Sequence, residues 1–348
     1  KFKALDAVAF PYGRSAQWAF LKAIGIENAE IIMPAYTCSV VAHAVVLSGN
    51  SPRFIDISLN DYNMDLDLVE QAINEKTRAV IATHTFGIPQ DLSRLEEIVS
   101  KAEKKFGHKI WLMQDCCHAF GAKWKDRMIG TSGDVAVYAF NISKIMTSIF
   151  GGMLTFQDPV LADKVRKWRD ENFKKASFKK RLTRSLYLLC VYCAFSKPIY
   201  RLTFWLKQKT PFLNALTKSY HMDDKIHFPP DFQMHMSNAE AEVGMVQLKK
   251  YDKIIAHRRK LASDYREEFM RKDDWKLPPV VSGATYSHFP IKVKNRDSLV
   301  CEYEKKGIEL GILIDYSIDA LSCYSSYSSY CPNSRECSKS IINFPVSV

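Results

Sequence analysis

No stretch of this 348-residue chain offers the roughly 20 consecutive apolar residues that a membrane-spanning helix needs. The longest approach, Leu186 to Phe195, stops at Ser196-Lys197-Pro198. No internal repeat recurs, and only "CYSSYSSYC" (323–331) is a biased loop. The nine cysteines form no regular framework. Their odd number, with Cys116 and Cys117 adjacent, predicts free thiols in a reducing compartment, on the cytoplasmic side. Cys190 and Cys193 make a single C-x-x-C without a second pair, so no metal site is expected. Acidic residues are scarce in one segment only. Between Leu161 and Lys225 sixteen Lys/Arg face five Asp/Glu, an excess equal to the net charge of +11 of the whole chain. No recognisable nucleic-acid fold interleaves these cations, and nucleic acid is excluded as a partner.

What is present is ordinary globular composition, 47% hydrophobic and 25% charged, in a chain long enough for two domains. The first half alternates helix-like and strand-like patterns. "SAQWAFLKAIG", "LDLVEQAINEKT" and "LSRLEEIVSKAEKKFG" read as amphipathic helices; "EIIMPAY", "PRFIDIS", "RAVIATHTFG", "KIWLMQDCC", "DVAVYAF" and "GGMLTFQD" read as short apolar strands. That alternation predicts an α/β fold with a mainly parallel sheet and helices on both faces. A long helix beginning near "NAEAEVGMVQLKKY" leads into strands at "GATYSHFPIKV" and "SIINFPV" around a helix at "SLVCEYEKKG", a smaller α+β unit. The expected division is a large domain over 1–235, carrying the basic insertion at about 161–227, and a small C-terminal domain over 236–348. The chain opens on Lys1 and stops at "NFPVSV" without a closing helix, which predicts a piece of a longer protein with a truncated small domain.

In parallel α/β sheets the working groups gather beyond the carboxyl ends of the strands. Tyr36, His84, Asp115 and Lys144 all fall there. Lys144 stands in "FNISKIMTSIFGGML", between a buried strand and the pair Gly151–Gly152. A lysine amine condenses with a carbonyl to a Schiff base, the linkage that pyridoxal phosphate uses. That cofactor also needs a carboxylate on its pyridinium nitrogen and an anion cradle for its phosphate, often a helix N-terminus. Asp115 is a candidate for the first, and "YGRSAQ" (12–17), with Gly13 and Ser15 at a helix start, for the second. Taken singly, each has a plainer reading: a solvated lysine, a capping aspartate, a commonplace turn. Their order along the chain is what joins them.

That order resembles the DegT/DnrJ/EryC1/StrS sugar aminotransferases, pyridoxal-phosphate enzymes of the aspartate-aminotransferase fold. The residues that carry it are "GRSAQWAFLKAIGI", "IIMPAYTCSVVAHAVVLSGNSPRFIDI", "EKTRAVIATHTFGIPQDL", "DCCHAFGAKWKDRMIGTSGDVAVYAFNISKIMTSIFGGML" and "MSNAEAEVGMVQLKKYDKIIAHRR". The resemblance implies a fold-type-I transferase with a seven-stranded sheet. It makes Lys144 the Schiff-base lysine and Asp115 the partner of the pyridinium nitrogen. His118 would stand against the cofactor's phenolic oxygen, and Ser15 and Ala16 would hold its phosphate. Tyr36, with His84 and Phe86 in "THTFG", would face the substrate; for His84 a hydrogen-bonded structural role is the competing reading.

Several positions depart from the family pattern. Cys38 stands where an aromatic ring usually stacks on the cofactor, so either Tyr36 substitutes or the thiol itself lies on the ring. Ala139 replaces a phosphate-binding serine, leaving Asn141, Ser143 or a partner residue to compensate. Gln233 aligns with an asparagine that the family's second subunit contributes.

In the basic segment, Tyr192, Tyr200, Phe204 and Trp205 lie beside Lys/Arg. Over 185–206 this predicts helices in a membrane interface, on the inner face of the membrane. An oligomer interface or lid is the alternative. The expected function is transfer of an amino group, from glutamate, to a keto-sugar on a nucleotide or lipid carrier, by a homodimer, in cell-surface glycan or aminosugar biosynthesis. Lysine rather than histidine at 144 argues for transamination over dehydration. A non-catalytic relative that binds the cofactor, and an aminotransferase acting on a membrane lipid ketone, are the alternatives.

Overall fold

In the computed structural model, residues 2–194, 196, 199, 225–327 and 329–346 are described. Strand β1 (Asp6–Phe10) leads into helix α1 (Gly13–Ile24), which stops at Gly25. Gly25 has φ +77° and donates its N–H to the Lys22 carbonyl, a left-handed stop that glycine adopts at little cost. Strand β2 (Glu30–Pro34), helix α2 (Ser39–Leu47), strand β3 (Ser51–Ile55), helix α3 (Leu66–Ala72) and strand β4 (Thr77–Thr83) follow. Helix α4 (Leu92–Phe106) and strand β5 (Trp111–Asp115) come next, then a small hairpin of β6 (Lys123–Trp124) and β7 (Arg127–Met128). Strands β8 (Val135–Ala139) and β9 (Gly152–Phe156) close the sheet. Helix starts are written in the sequence: Asp65 accepts from the N–H groups of Asp67 and Leu68 to cap α3, and Asp91 accepts from that of Arg94 to cap α4.

The sheet has seven strands in the order β1-β9-β8-β5-β4-β2-β3. The contacts from β3 through β2, β4 and β5 to β8 are parallel, while β9 runs antiparallel to both β8 and β1. Residues alternate between two apolar layers. Ile31, Met33 and Leu154 join Phe20 and Val41 on one face, and Ile32, Val80 and Leu112 join Leu95 and Ile98 on the other. Both faces are therefore buried, which is why these strands read as continuous apolar runs. The mainly parallel, fold-type-I-like sheet expected from the sequence is present.

Helices α5 (Pro159–Asn172) and α6 (Phe178–Ala194) belong to the basic segment. Several of its cations turn inward: Arg166 pairs with Asp6, and Arg169 donates to the Ala9 carbonyl. Phe195 and nearly all of 197–224 lie outside the described residues, so most of the expected interfacial segment after Ala194 is not described. No helix among the described residues is long and apolar enough to cross a membrane. Helix α7 (Asn238–Phe269) starts on a capping box in which Ser237 and Glu240 bond reciprocally. After it come strand β10 (Phe289–Lys292), helix α8 (Arg296–Lys305), helix α9 (Pro332–Ser340) and strand β11 (Ile341–Phe344), with β10 and β11 antiparallel. Phe269, Trp275, Phe289, Ile342 and Phe344 centre a separate apolar cluster there.

Candidate functional site

The carboxyl ends of β4, β5 and β8 meet the N-termini of α1 and α2 around one pocket. Lys144, Asp115, His118, Cys38 and Asn141 line it, with Tyr12, Gly13, Arg14, Thr37, Thr83 and Ala139. Five of the sequence-predicted residues are thus brought together.

Asp115 ends β5 and is buried. One carboxylate oxygen accepts from the Thr83 hydroxyl at 3.1 Å and the other from the Cys117 N–H at 3.0 Å. A carboxylate has about four acceptor positions. No cation among the described residues pairs with this one, so it has room for an N–H donor from a ligand. Lys144 follows β8 in the loop 140–151, where its N–H bonds to the Asn141 carbonyl at 3.0 Å. The loop is closed by the N–H of Phe140 on the Gly151 carbonyl and that of Ser148 on the Phe140 carbonyl. Ile149 is held at φ +73°, a rare conformation for a β-branched residue and a strained one.

His118 is buried, and its Nδ1 has no hydrogen-bond partner. Burial, then the charge of Lys144, then His288 push its pKa well below the usual imidazole range. His288, in the segment expected as a strand, is a neighbour of His118 that no motif announced. Its ring lies 6.2 Å from that of His118. Burial, followed by Lys144 and Arg258, lowers its pKa to about 3. Its position depends on Gly87, at φ +86°, where a Cβ would stand 2.8 Å from the N atoms of Tyr286 and Ser287. The Thr285 N–H bonds to the Gly87 carbonyl and the Ser287 N–H to that of Phe86, so residues 285–287 are strapped to the turn at Phe86–Gly87.

The Ser15 hydroxyl and the Ala16 N–H, expected to hold a phosphate, are both engaged within the chain. The Ala16 N–H already bonds to the Tyr12 carbonyl, and the Ser15 hydroxyl donates to the Phe232 carbonyl at 2.7 Å. The N–H groups of Gly13, Arg14 and Ser15 lie before the first helical bond, and no side chain caps them. A Cβ on Gly13 would stand 2.8 Å from that of Ala139, so the cradle is closed tightly on one side.

Four further expected residues are elsewhere. His84 is fully buried: its Nδ1 accepts from the Gln90 N–H at 3.0 Å, and its Nε2 lies 2.9 Å from the Gln114 side-chain oxygen. Burial lowers its pKa to about 4. Gln114 and Asp115 are consecutive in a strand and face opposite sides, so His84 is on the side away from the pocket. Tyr36 and Phe86 pack edge to face at 6.1 Å in a buried cluster with Ile314, Cys337 and Ile341. The Tyr36 hydroxyl faces the Ile314 carbonyl. Gln233 lies outside its own chain's pocket, with its carbonyl accepting from the Lys174 N–H.

Pyridoxal phosphate fits these residues. The unpartnered buried nitrogen of His118, the spare acceptor capacity of Asp115 and the uncapped, tightly closed helix start are the features such a ring and phosphate would use.

The sequence model of the DegT/DnrJ/EryC1/StrS aminotransferase family matches residues 2–348. The GDP-perosamine synthase of Escherichia coli O157:H7 is 25% identical over 248 residues, 71% of this chain and 54% of that protein. The L-glutamine:2-deoxy-scyllo-inosose aminotransferase of Streptomyces kanamyceticus is 34% identical over 158 residues, 45% of this chain and 36% of that protein. The chain thus matches about half or less of the length of these curated relatives. Among solved structures, the sugar aminotransferase CalS13 from Micromonospora echinospora superposes with a TM-score of 0.74 at 20% identity, covering 98% of this chain and 82% of that one.

Proposed function

The chain belongs to the DegT/DnrJ/EryC1/StrS aminotransferase family, and on that footing we propose that it moves an amino group from glutamate to the ketone of a sugar. The observation that carries this is Lys144 and Asp115 in one pocket, beside an uncapped helix start. Pyridoxal phosphate, when bound, supplies an aldehyde for amine exchange and a ring that accepts electrons. Lys144 would be the attachment point for that aldehyde and, once released, its Nζ would move a proton between the substrate carbon and the cofactor in each half-reaction, first with the donor and then with the keto-sugar. Asp115 keeps a proton on the ring nitrogen. His118 and His288, both neutral at pH 7, offer uncharged hydrogen bonds beside Lys144 without competing with it for positive charge. The N–H groups at the start of α1 bind the phosphate. Cys38 presents a small thiol to the ring face. Gln233 is assigned in this reading to the pocket of a second copy of the chain.

A specific observation supports an interfacial location. Phe178, Leu182, Leu186, Leu189 and Tyr192 are all exposed and fall within one third of the circumference of α6. The surrounding segment is strongly cationic, which suits an anionic lipid surface. A lipid-linked keto-sugar is the acceptor that this location favours; a nucleotide-linked one is the acceptor that freely diffusing protein would use.

The absorption spectrum of cofactor-saturated protein, before and after glutamate, tests the main reading. A visible band that glutamate bleaches, and that Lys144→Ala lacks, is the expected result. A band untouched by glutamate points to binding without this transfer. Absence of any band overturns the cofactor assignment.

A further inference from the structure

Arg14 is the second residue of α1 and lines the pocket. No ion pair or hydrogen bond links its guanidinium to any described residue. The first turn of α1 contains no acid. A cation there opposes the helix dipole. The two acidic oxygens of Asp115, the carboxylate that shares the pocket, are directed at Thr83 and the Cys117 N–H. Arg14 therefore has no protein counter-charge among the described residues, and an anion in the pocket would supply one.

The hydroxyls around the pocket have other commitments. Tyr12 donates to Asp231 at 2.6 Å, Thr83 donates to Asp115, and Thr37 lies 3.4 Å from the Thr83 hydroxyl. Ser15 is bonded to the Phe232 carbonyl. Gln17 gives its amide to the Val41 carbonyl. Position 139, against Gly13, offers only a methyl group. Among the described residues that line this pocket, Arg14 and Lys144 are the charged side-chain donors, and Lys144 is taken by the aldehyde in the reading above; His118, whose buried Nδ1 has no hydrogen-bond partner, lines it as well.

We infer that Arg14 is the side-chain ligand of the cofactor's phosphate, its planar fork completing the cradle begun by the start of α1. This rests on the pyridoxal-phosphate reading above. Arginine matches phosphate geometry with two parallel hydrogen bonds, and the charge missing from the hydroxyl-poor cup is supplied from the helix side. The rival ligand is the carboxylate of the amino donor, which would leave cofactor binding indifferent to Arg14.

Titration of the cofactor-free protein with pyridoxal phosphate and, separately, with pyridoxal separates these cases, read from the visible band and in the absence of any amino donor. Arg14→Ala is expected to weaken pyridoxal-phosphate binding by about 10- to 150-fold, the range for a hydrogen bond to a charged group. Pyridoxal, which lacks the phosphate, should bind the variant and the parent alike. Arg14→Lys should recover part of the loss, and adding Ala139→Ser to Arg14→Ala another part. Unchanged melting temperature in Arg14→Ala verifies the fold. Equal affinity of parent and variant for pyridoxal phosphate overturns the assignment. So does an equal loss for both aldehydes. A variant that keeps the cofactor but binds glutamate weakly transfers Arg14 to the donor's carboxylate. A parent protein that binds neither aldehyde overturns the cofactor reading itself, an outcome distinct from all of these.

Discussion

The guanidinium of Arg184 lies 3.8 Å above the ring centre of Phe150, which lines the candidate pocket. The same side chain donates to the Tyr12 hydroxyl, to Asp231 at 2.9 Å and, through Nε, approaches Glu240 at 3.3 Å. Lys180, nearly buried, joins Asp231 at 3.2 Å. Helix α6 is thereby tied to the pocket's wall by its inner face while its outer face is apolar and exposed. Arg184→Ala removes one partner from a nearly dry cluster that includes the fully buried Glu240. A loss of about 3–5 kcal/mol is expected, measured by denaturant unfolding, with faster proteolysis within 178–194 if the damage is local to α6.

The outer face of α6 gives a second expectation. Replacing Leu182, Leu186 and Leu189 by glutamine should abolish co-sedimentation with vesicles containing anionic lipid and leave cofactor binding unchanged. Leu188 and Val191 are less exposed than this stripe and are poorer probes of it. Pelleting that survives the triple change would end the membrane reading. Conversion of a dimer to a monomer by the same change would assign the stripe to contact between two copies.

Three buried imidazoles set the response to acid. The unfolded chain protonates them near the ordinary value of about 6.5. The folded chain resists until about 4 at His84 and about 3 at His288, and His118 is depressed as well. Their contribution is complete above the unfolded value and is lost as the pH falls through this window. Each adds a slope of up to about 1.4 kcal/mol per pH unit. Unfolding free energies measured from pH 7 down to 4 should show the slope, and His84→Asn should reduce it by one proton's share.

Gly152→Ala tests the closure of the cradle. A Cβ at this position would stand 2.3 Å from the Tyr12 carbonyl group and 2.5 Å from the Gly13 nitrogen. Backbone cannot yield as a side-chain tip can, so β9 or the start of α1 must move. A cost of about 1–3 kcal/mol is expected, together with weakened cofactor binding, checked by thermal melting and by cofactor titration.

The sheet was legible because its strands are buried on both faces and so appear as apolar runs separated by amphipathic helices. Asp115 and Lys144 were legible because each ends or follows such a run. The sequence shows that a helix starts near Gly13 but not which N–H groups its first bond consumes; the Tyr12 carbonyl takes that of Ala16. His84 was drawn toward the pocket by its place at a strand end. Its partner Gln114 is the neighbour of Asp115, and two-residue alternation alone puts it on the other face. Tyr36 and Phe86 are covered by Ile314, Cys337 and Ile341, contacts that no local pattern announces. His288 comes beside His118 across a similarly long separation in sequence, through a crossing that depends on Gly87.

The antiparallel pairing of β1 with β9 joins Asp6 to Phe156 and Phe10 to Gly152. A ribosome adds about 5–20 residues per second, so the first strand emerges roughly 7 to 30 seconds before its partner exists. Throughout that interval the segment that later opens the anion cradle has no sheet to join. Ligand-binding ability is consequently one of the last properties this half of the chain acquires during synthesis, and the waiting strand is where a nascent chain is most exposed to mispairing.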